Sequence, residues 1–289
     1  MRIRRCLGLL GSVAVVAGVL ISAGTTHAAS RHGSAVPITR TVTVLSFNIQ
    51  HAEGTDGVLD LDRVAHVIRS SGAGIVGLQE LDRHYSARSN WLDEPTELAR
   101  RLHMHVAFDA NIDRAPPAAG QPRRQFGSAI LSRYPIVASS NTYLYRSPDL
   151  EQRGLLRAVI DVHGLLVDAY NTHLEVSSQS DRLRQTAQIK SLIGTPHAPT
   201  LLTGDMNATA GAPEIATLNG FLTDSWTVAG TGPGYTGEST TPTKRIDYVF
   251  GTHGVQPLMD RVIHTDPAAS DHLPVAATVQ LTGDANWVG

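Results

Sequence analysis

Short runs of apolar and β-branched residues recur along most of the chain, and they alternate with amphipathic segments. Apolar runs of roughly four to eight residues that are bounded by turn residues predict buried strands. The predicted strands are residues 41–47, 75–78, 126–132, 155–162, 165–170, 199–203, 245–250 and 274–281. His163-Gly164 separates two of these runs and predicts a hairpin.

Apolar residues spaced three and four apart predict helices between the strands. Leu61, Val64, Ala65 and Ile68 form one such face, and Asp60 precedes it as a helix N-cap. Further helices are predicted at 95–102, 181–193 and 213–218. Segments 111–125 and 230–243 are rich in proline, glycine or threonine and predict long surface loops.

The first 28 residues have a composition of their own. Basic residues at the start, an apolar segment from Leu7 to Ala23 and small residues up to Ala28 predict a cleaved secretory signal peptide, exported by the Sec or the twin-arginine route. The alternative is a membrane anchor, which the many glycines and serines disfavour. We interpret residues 29–40 as a flexible lead-in and 41–282 as one domain. Cleavage would remove Cys6, the only cysteine, so no disulfide or thiol nucleophile is expected.

The net charge of the chain limits the classes of binding partner that we expect. The formal net charge is −2, and the first 28 residues contain three arginines and no acidic residue. The remainder therefore carries about −5, which argues against binding nucleic acid through bulk charge but leaves a local basic patch open. No run after the signal peptide is long and apolar enough to anchor the chain in a membrane. We expect a monomer.

Several predicted strands end in polar residues that hydrophobicity does not explain. These residues are Asn48, Glu80, His173, Asp205, Asn207, Asp271 and His272, with Asp247 inside a strand. Polar groups at core strands cost free energy unless they are paired or liganded. Their recurrence from distant parts of the chain predicts a shared site at one edge of the sheets.

The residue types in this set indicate a chemistry. Carboxylates and asparagines are hard oxygen ligands, which suit Mg²⁺ best, with Mn²⁺ or Ca²⁺ as alternatives to it. Histidines beside carboxylates are candidates for acid–base work. The sequence has neither a Gly-rich phosphate loop nor a Gly-x-Ser-x-Gly elbow. Metal-assisted attack of water on a phosphate ester fits this set.

Six short motifs in order resemble those of the endonuclease/exonuclease/phosphatase superfamily, the DNase I-like fold, and indicate a secreted bacterial member. The motifs are Ser46-Phe47-Asn48, Gly77-Leu78-Gln79-Glu80, Asn171-Thr172-His173-Leu174, Gly204-Asp205-Met206-Asn207, Arg245-Ile246-Asp247-Tyr248-Val249 and Ser270-Asp271-His272-Leu273-Pro274. The resemblance covers Thr41 to Leu281. It implies an α/β fold, a four-layer α/β/β/α sandwich in which two mixed sheets pack face to face with helices outside, and makes 41–282 the catalytic domain.

The resemblance also implies roles for individual residues. Glu80 would be the main metal ligand, with Asn48 and Asp271 nearby. His272 would be the general base, oriented by Asp247. Asp205 would position or deprotonate the water or bind a second metal, so the identity of the base and the number of metals stay open. Asn207 and His173 would hold the scissile phosphate.

For substrate contacts, the family often places an arginine or tyrosine on the central strand. Arg153 is the first candidate here, followed by Tyr145 and Arg157. We expect a secreted metal-dependent phosphoesterase that hydrolyses a phosphodiester or phosphomonoester, either a small molecule or lipid-linked. A secreted DNA or RNA nuclease is the alternative. A non-catalytic relative is disfavoured, because Glu80, Asp205, Asp247 and His272 are all present.

Overall fold

The computed structural model describes residues 37–252 and 254–285. The strands are β1 (Pro37–Asn48), β2 (Ile75–Arg83), β3 (His105–Arg114), β4 (Arg124–Ser132), β5 (Ile136–Tyr143), β6 (Gly154–Asp161), β7 (Leu166–His173), β8 (Thr200–Asp205), β9 (Thr223–Asp224), β10 (Asp247–Gly251), β11 (Val255–Val262) and β12 (Val275–Asp284). The helices are α1 (Leu61–Ser71), α2 (Glu94–Leu102), α3 (Gln179–Ile193), α4 (Pro213–Asn219) and α5 (Ser225–Ala229). The predicted signal peptide, 1–28, lies outside the described residues.

The strands form two mixed six-stranded sheets. Their orders are β11-β12-β1-β2-β4-β3 and β5-β6-β7-β8-β10-β9. Each sheet contains one parallel pair, β1 with β2 and β7 with β8, and its other neighbours are antiparallel. A parallel pair needs a crossover connection, and α1 and α3 lie in those two connections.

Three apolar clusters show that the predicted four-layer sandwich is right. One cluster packs α1 and α2 on the outer face of the first sheet, one lies between the sheets, and one packs α3 and α4 on the second sheet. Alternation along each strand produces this layering, since successive side chains point to opposite faces. Thus Val44 faces the other sheet and Leu45 faces α1, while Leu201 and Leu202 divide in the same way.

A buried polar network joins the two sheets below the strand ends. Asn171 donates from Nδ2 to the carbonyls of Leu78 and Ala129, and its Oδ1 accepts from Gln79 Nε2 at 2.7 Å and Thr203 Oγ1 at 3.1 Å. Because Asn171 belongs to β7 and three of its partners belong to the first sheet, the network fixes one sheet relative to the other.

Some predicted boundaries were wrong. β1 begins at Pro37 rather than Thr41, because Pro37 to Arg40, predicted as part of a flexible lead-in, pair with the end of β12; residues 29–36 lie outside the described residues. The predicted loop 111–125 includes the end of β3 and the start of β4. The pattern also missed β3, β5, β9 and β11, which are the edge strands of the two sheets and have many exposed side chains and little apolar alternation. No helix in 37–252 or 254–285 has the length and apolar character needed to cross a membrane.

Candidate active site

Five strands bring the predicted polar residues to one edge of the two sheets. In the first sheet, Asn48 ends β1 beside Gln79 of β2, and Glu80 follows. In the second sheet, Asp205 at the end of β8 pairs with His173 of β7 on one side and Asp247 of β10 on the other. The register therefore explains why residues far apart in the chain meet.

Asp205 is at the centre of this group and is buried. Its Oδ2 lies 3.2 Å from Asn48 Nδ2, 3.4 Å from His173 Nε2 and 3.6 Å from His272 Nε2. Burial raises the pKa of Asp205 and the nearby Asp247 adds to this, whereas the charge on His272 opposes it. Asp205 is therefore positioned to form a hydrogen bond with a ligand bound at this edge of the two sheets.

His272 and Asp247 form a pair. His272 Nδ1 lies 2.9 Å from Asp247 Oδ2, so Nε2 faces Asp205. Burial lowers the pKa of His272, but the carboxylates of Asp247 and Asp205 more than offset it, and the net pKa is raised. The predicted orientation of His272 by Asp247 matches this geometry.

Glu80 lies in a β-bulge within β2. The pairing with β4 shifts between Leu78 and Leu81, and Glu80 has a φ of 62°. This left-handed conformation is unfavourable for a residue with a Cβ and persists where the surroundings impose it, often at functional sites. The bulge directs the carboxylate to Asn48, whose Nδ2 donates to Oε1 at 2.9 Å, and leaves the Glu80 side chain 28% exposed.

His173 and Asn207 lie side by side next to Asp205. Asn207 Nδ2 lies 3.0 Å from His173 Nε2, and the backbone N–H of Asn207 donates to Asp205 Oδ1 at 2.9 Å. Arg153 is buried, and its Nη1 lies 3.2 Å from His173 Nδ1. Burial, Arg153 and His272 lower the pKa of His173 well below its usual range, so His173 is neutral.

The donor set fits a divalent cation. Asp205, Asp247 and His272 offer ligand atoms within 4.8 Å of one another. Asp247 Oδ1 is buried and finds no hydrogen-bond partner within the described residues, so it has a free lone pair for a ligand. Glu80 adds a more open carboxylate beside Asn48. These oxygen-rich donors suit a hard metal ion.

Two predicted residues are not joined to this group by a contact. Asp271 is exposed, and its backbone N–H donates to Gln50 Oε1 at 3.3 Å. The ring of Tyr145 lies 4.5 Å under the guanidinium of Arg184, a residue of α3. Metal binding by Asp271 and substrate binding by Tyr145 therefore stay predictions.

Arg157 is not joined to this group by a contact either, and substrate binding by Arg157 stays a prediction. Its guanidinium pairs with Asp168 at 2.6 Å. Asp168 lies opposite Thr200 at the start of β8, whereas Asp205 ends that strand. Thr200 and Asp205 are five positions apart along β8. At about 3.3 Å per residue, the Arg157–Asp168 pair therefore lies roughly 16 Å from Asp205. The arginine-rich sequence could not show that a carboxylate on the neighbouring strand neutralises Arg157.

Sequence reasoning gave no role to Ser270 and Thr236, which support the site. Ser270 Oγ donates to the Asn48 carbonyl at 2.7 Å and accepts from the His272 backbone N–H at 3.2 Å. Thr236 Oγ1 accepts from the backbone N–H of Asp247 at 3.3 Å. Ser270 was in a recognised motif, but Thr236 lies in a segment interpreted only as a surface loop.

Known proteins share this architecture. A solved structure from Beutenbergia cavernae, described as an endonuclease/exonuclease/phosphatase, is 27% identical with a TM-score of 0.74, over 85% of this chain and 72% of that one. A mannosyl-6-phosphatase from Bacteroides thetaiotaomicron shares the fold at 19% identity and a TM-score of 0.65, over 82% of this chain and 99% of that one.

A curated relative, protein cwh43 of Schizosaccharomyces pombe, is 27% identical over 151 residues. That match covers 52% of this chain, but the chain spans only 14% of the length of cwh43. The sequence profile of the Endonuclease/Exonuclease/phosphatase family matches residues 45–272, from β1 to His272. The profile thus includes every element that positions the site, and the chain belongs to the endonuclease/exonuclease/phosphatase family.

Proposed function

We propose that this chain is a secreted, divalent-metal-dependent phosphoesterase that hydrolyses a small or lipid-linked phosphate ester by attack of water. The observation that carries the proposal is the convergence of the His272–Asp247 pair on Asp205, with His272 Nε2 3.6 Å from Asp205 Oδ2. Secretion is supported by the predicted signal peptide at 1–28.

The side chains divide the chemistry between them. Glu80, with Asn48, would hold the cation, and Mg²⁺ bound there would neutralise charge on the phosphoryl oxygens. Asp205 and His272 face each other and can orient a water between them, while Asp247 holds the imidazole in place. The raised pKa keeps His272 protonated in the metal-free protein, so His272 would accept the proton of the water only where the charge of the bound cation lowers that pKa, and Asp205 is the other candidate base.

Charge that develops on the phosphoryl group needs donors on the other side of the site. Asn207 Nδ2 and the neutral His173 lie beside Asp205, where each can donate a hydrogen bond to a phosphoryl oxygen. Arg153 contributes through His173, because its guanidinium is buried and bound to Glu151 at 2.7 Å. We therefore interpret Arg153 as a residue that positions His173 at the phosphate site rather than one that binds a distant part of the substrate.

A small ester is favoured over a polynucleotide by the net charge of the chain, which does not supply a generally basic surface. The mannosyl-6-phosphatase that shares the fold is compatible with a small phosphomonoester. A secreted nuclease is the second candidate, because the exposed Arg114 ends β3 and the exposed Arg123, which is paired with Asp113, immediately precedes β4, so the two could contribute to a local basic patch.

Hydrolysis of aryl phosphodiesters and monoesters by the purified protein tests the proposal. We expect turnover with Mg²⁺ or Mn²⁺, its loss in EDTA, and a drop of at least about a hundredfold in kcat for His272→Ala, as for loss of a general base. His105→Ala, which changes an exposed histidine on β3, is the matched control and should keep the wild-type rate. Turnover that persists in excess chelator, or in His272→Ala, would contradict the mechanism.

The substrate class needs a separate panel. Plasmid DNA, RNA, sphingomyelin, phosphatidylinositol and sugar phosphates would be compared at equal enzyme concentration. We expect hydrolysis of a lipid or sugar phosphate and slow action on DNA. Rapid plasmid nicking with no action on the others would reverse the ranking in favour of the nuclease.

A further inference from the structure

A mostly apolar groove of about 440 Å³ lies beyond Glu80, between two loops of the first sheet. One wall is the loop that follows β2, and the other is the connection between β3 and β4. The groove is lined by His84, Trp91, Pro117, Ala118, Gln121 and Pro122. None of these residues has a role in the catalytic group described above.

Two contacts between His84 and residues 91–92 close the loop that carries Trp91. The His84 backbone N–H donates to the Leu92 carbonyl at 2.8 Å, and His84 Nδ1 lies 2.8 Å from the Trp91 carbonyl. Since a carbonyl only accepts, Nδ1 carries a proton, and Nε2 stays available for a second hydrogen bond. Trp91 itself has a φ of 56°, which is rare for a bulky side chain, and it is 42% exposed. The backbone at Trp91 is thus strained, and the large aromatic side chain lies partly exposed at the groove.

The groove is close to the predicted metal ligand. His84 directly follows β2 and is four positions after Glu80, which is about 13 Å at most along an extended strand. Two guanidinium groups flank this path, since those of Arg88 and Arg114 lie 4.8 Å and 5.4 Å from the ring of Tyr85, but Arg88 is paired with Asp82 at 2.6 Å. Arg114 has no carboxylate within salt-bridge distance in the described part of the chain. An anion next to the groove would therefore be favoured.

We propose that this groove is a specificity subsite for a flat, ring-containing group attached to the substrate phosphate, which stacks on Trp91. The proposal rests on the function proposed above, since it assigns the organic part of the ester whose phosphate lies at Glu80 and Asp205. Stacking of a planar ring on an aromatic side chain contributes about 1–3 kcal/mol per ring, and that range corresponds to roughly five- to 150-fold in affinity.

A planar ring is favoured over an acyl chain by the polar groups of the groove. Gln121 and Nε2 of His84 can hydrogen-bond the edge of a polar ring, whereas an acyl chain would leave both groups desolvated and unpaired. The exposed Arg114 complements the negative charge of the attached phosphate.

Phosphonates that are not hydrolysed allow the subsite to be tested without turnover. Benzylphosphonate, (cyclohexylmethyl)phosphonate and methylphosphonate would be titrated into the full protein with Mg²⁺ by calorimetry. We expect benzylphosphonate to bind about tenfold more tightly than the other two. Trp91→Ala should remove that advantage and leave methylphosphonate binding unchanged, while Trp91→Phe should keep most of it.

Leu258→Ala is the control variant, since Leu258 is 49% exposed on β11 at the far edge of the same sheet. It should bind all three ligands as the wild type does. Equal binding of the benzyl and cyclohexylmethyl compounds, or a benzyl advantage that survives in Trp91→Ala, would overturn the ring subsite. Binding of benzylphosphonate by a protein that hydrolyses no ester would sustain the subsite and reject the proposed function instead. Failure of all three to bind, with ester hydrolysis intact, would reject the subsite alone.

Discussion

Asp247 is the residue on which the charge of His272 depends. It is fully buried, one carboxylate oxygen binds His272 and the other has no partner within the described residues. A buried imidazole alone would favour its neutral form, because burial disfavours charge. The carboxylate of Asp247, with that of Asp205, reverses that preference, and in the protein without metal the pKa of His272 is raised to about 10.

Asp247→Asn should therefore lower the pKa of His272 in the metal-free protein. Because the wild-type pKa is raised above 6.5, the stabilisation from the protonated ring is complete below pH 6.5 and is lost as pH rises through about 10. In the variant the ring should titrate near or below its ordinary value, which NMR of imidazole carbons in EDTA would measure. We also expect kcat to fall on the order of a thousandfold, as when a histidine loses its orienting carboxylate.

Asp260→Asn provides the control, since Asp260 is also buried but lies on β11 and contacts Ser225 instead of His272. It should leave the titration of His272 unchanged. An unshifted His272 in Asp247→Asn would show that Asp205, not Asp247, sets its charge.

At the scale of elements, the β2 bulge and the network under it determine where the site lies. One extra residue in β2 places Glu80 in a left-handed conformation next to Asn48. The two sheets approach closely at Gly77, where a Cβ would come within 2.0 Å of Thr203 Oγ1. Asn171 fills the space beside this contact with four hydrogen bonds. The sequence motifs therefore contain structural as well as chemical residues.

Asn171→Ala should destabilise the protein by about 3 kcal/mol, because it leaves buried groups of Leu78, Ala129 and Gln79 without partners. Urea denaturation would measure the loss as a lower midpoint. Asn219→Ala, an exposed change at the end of α4, should alter stability by less than about 0.5 kcal/mol. Equal midpoints for the two variants would show that the network does not hold the sheets together.

For the molecule as a whole, apolar alternation predicted the central strands, the family resemblance of the strand-end motifs implied the four layers, and the motifs contained most of the residues that meet at the site. Central strands such as β1 and β8 are buried on both faces, so their sequences are strongly apolar and easily recognised. Edge strands such as β5 expose most side chains and leave little pattern. The bulge at Glu80 and the ion pair of Arg157 depend on partners from other strands, which local sequence does not specify.

Charge balance at the site leads to a prediction for the stability of the whole molecule. The carboxylates of Glu80, Asp205 and Asp247 gather at one edge of the sheets, so a cation that binds only the folded state should stabilise it. At a concentration of about 100 times its dissociation constant, Mg²⁺ would add about 2.7 kcal/mol. For a domain of this size, that corresponds to a rise in Tm of roughly 5–10 °C.

Differential scanning calorimetry with Mg²⁺ and with EDTA would measure this rise. Glu80→Gln should lose most of it, because the amide keeps the shape of the side chain but removes the charge. Glu53→Gln is the matched control: Glu53 contacts His51 rather than Asp205, and its variant should keep the full shift. If Glu80→Gln and the wild type gained the same stability from Mg²⁺, the cation would bind elsewhere, and the assignment of Glu80 as its ligand would be wrong.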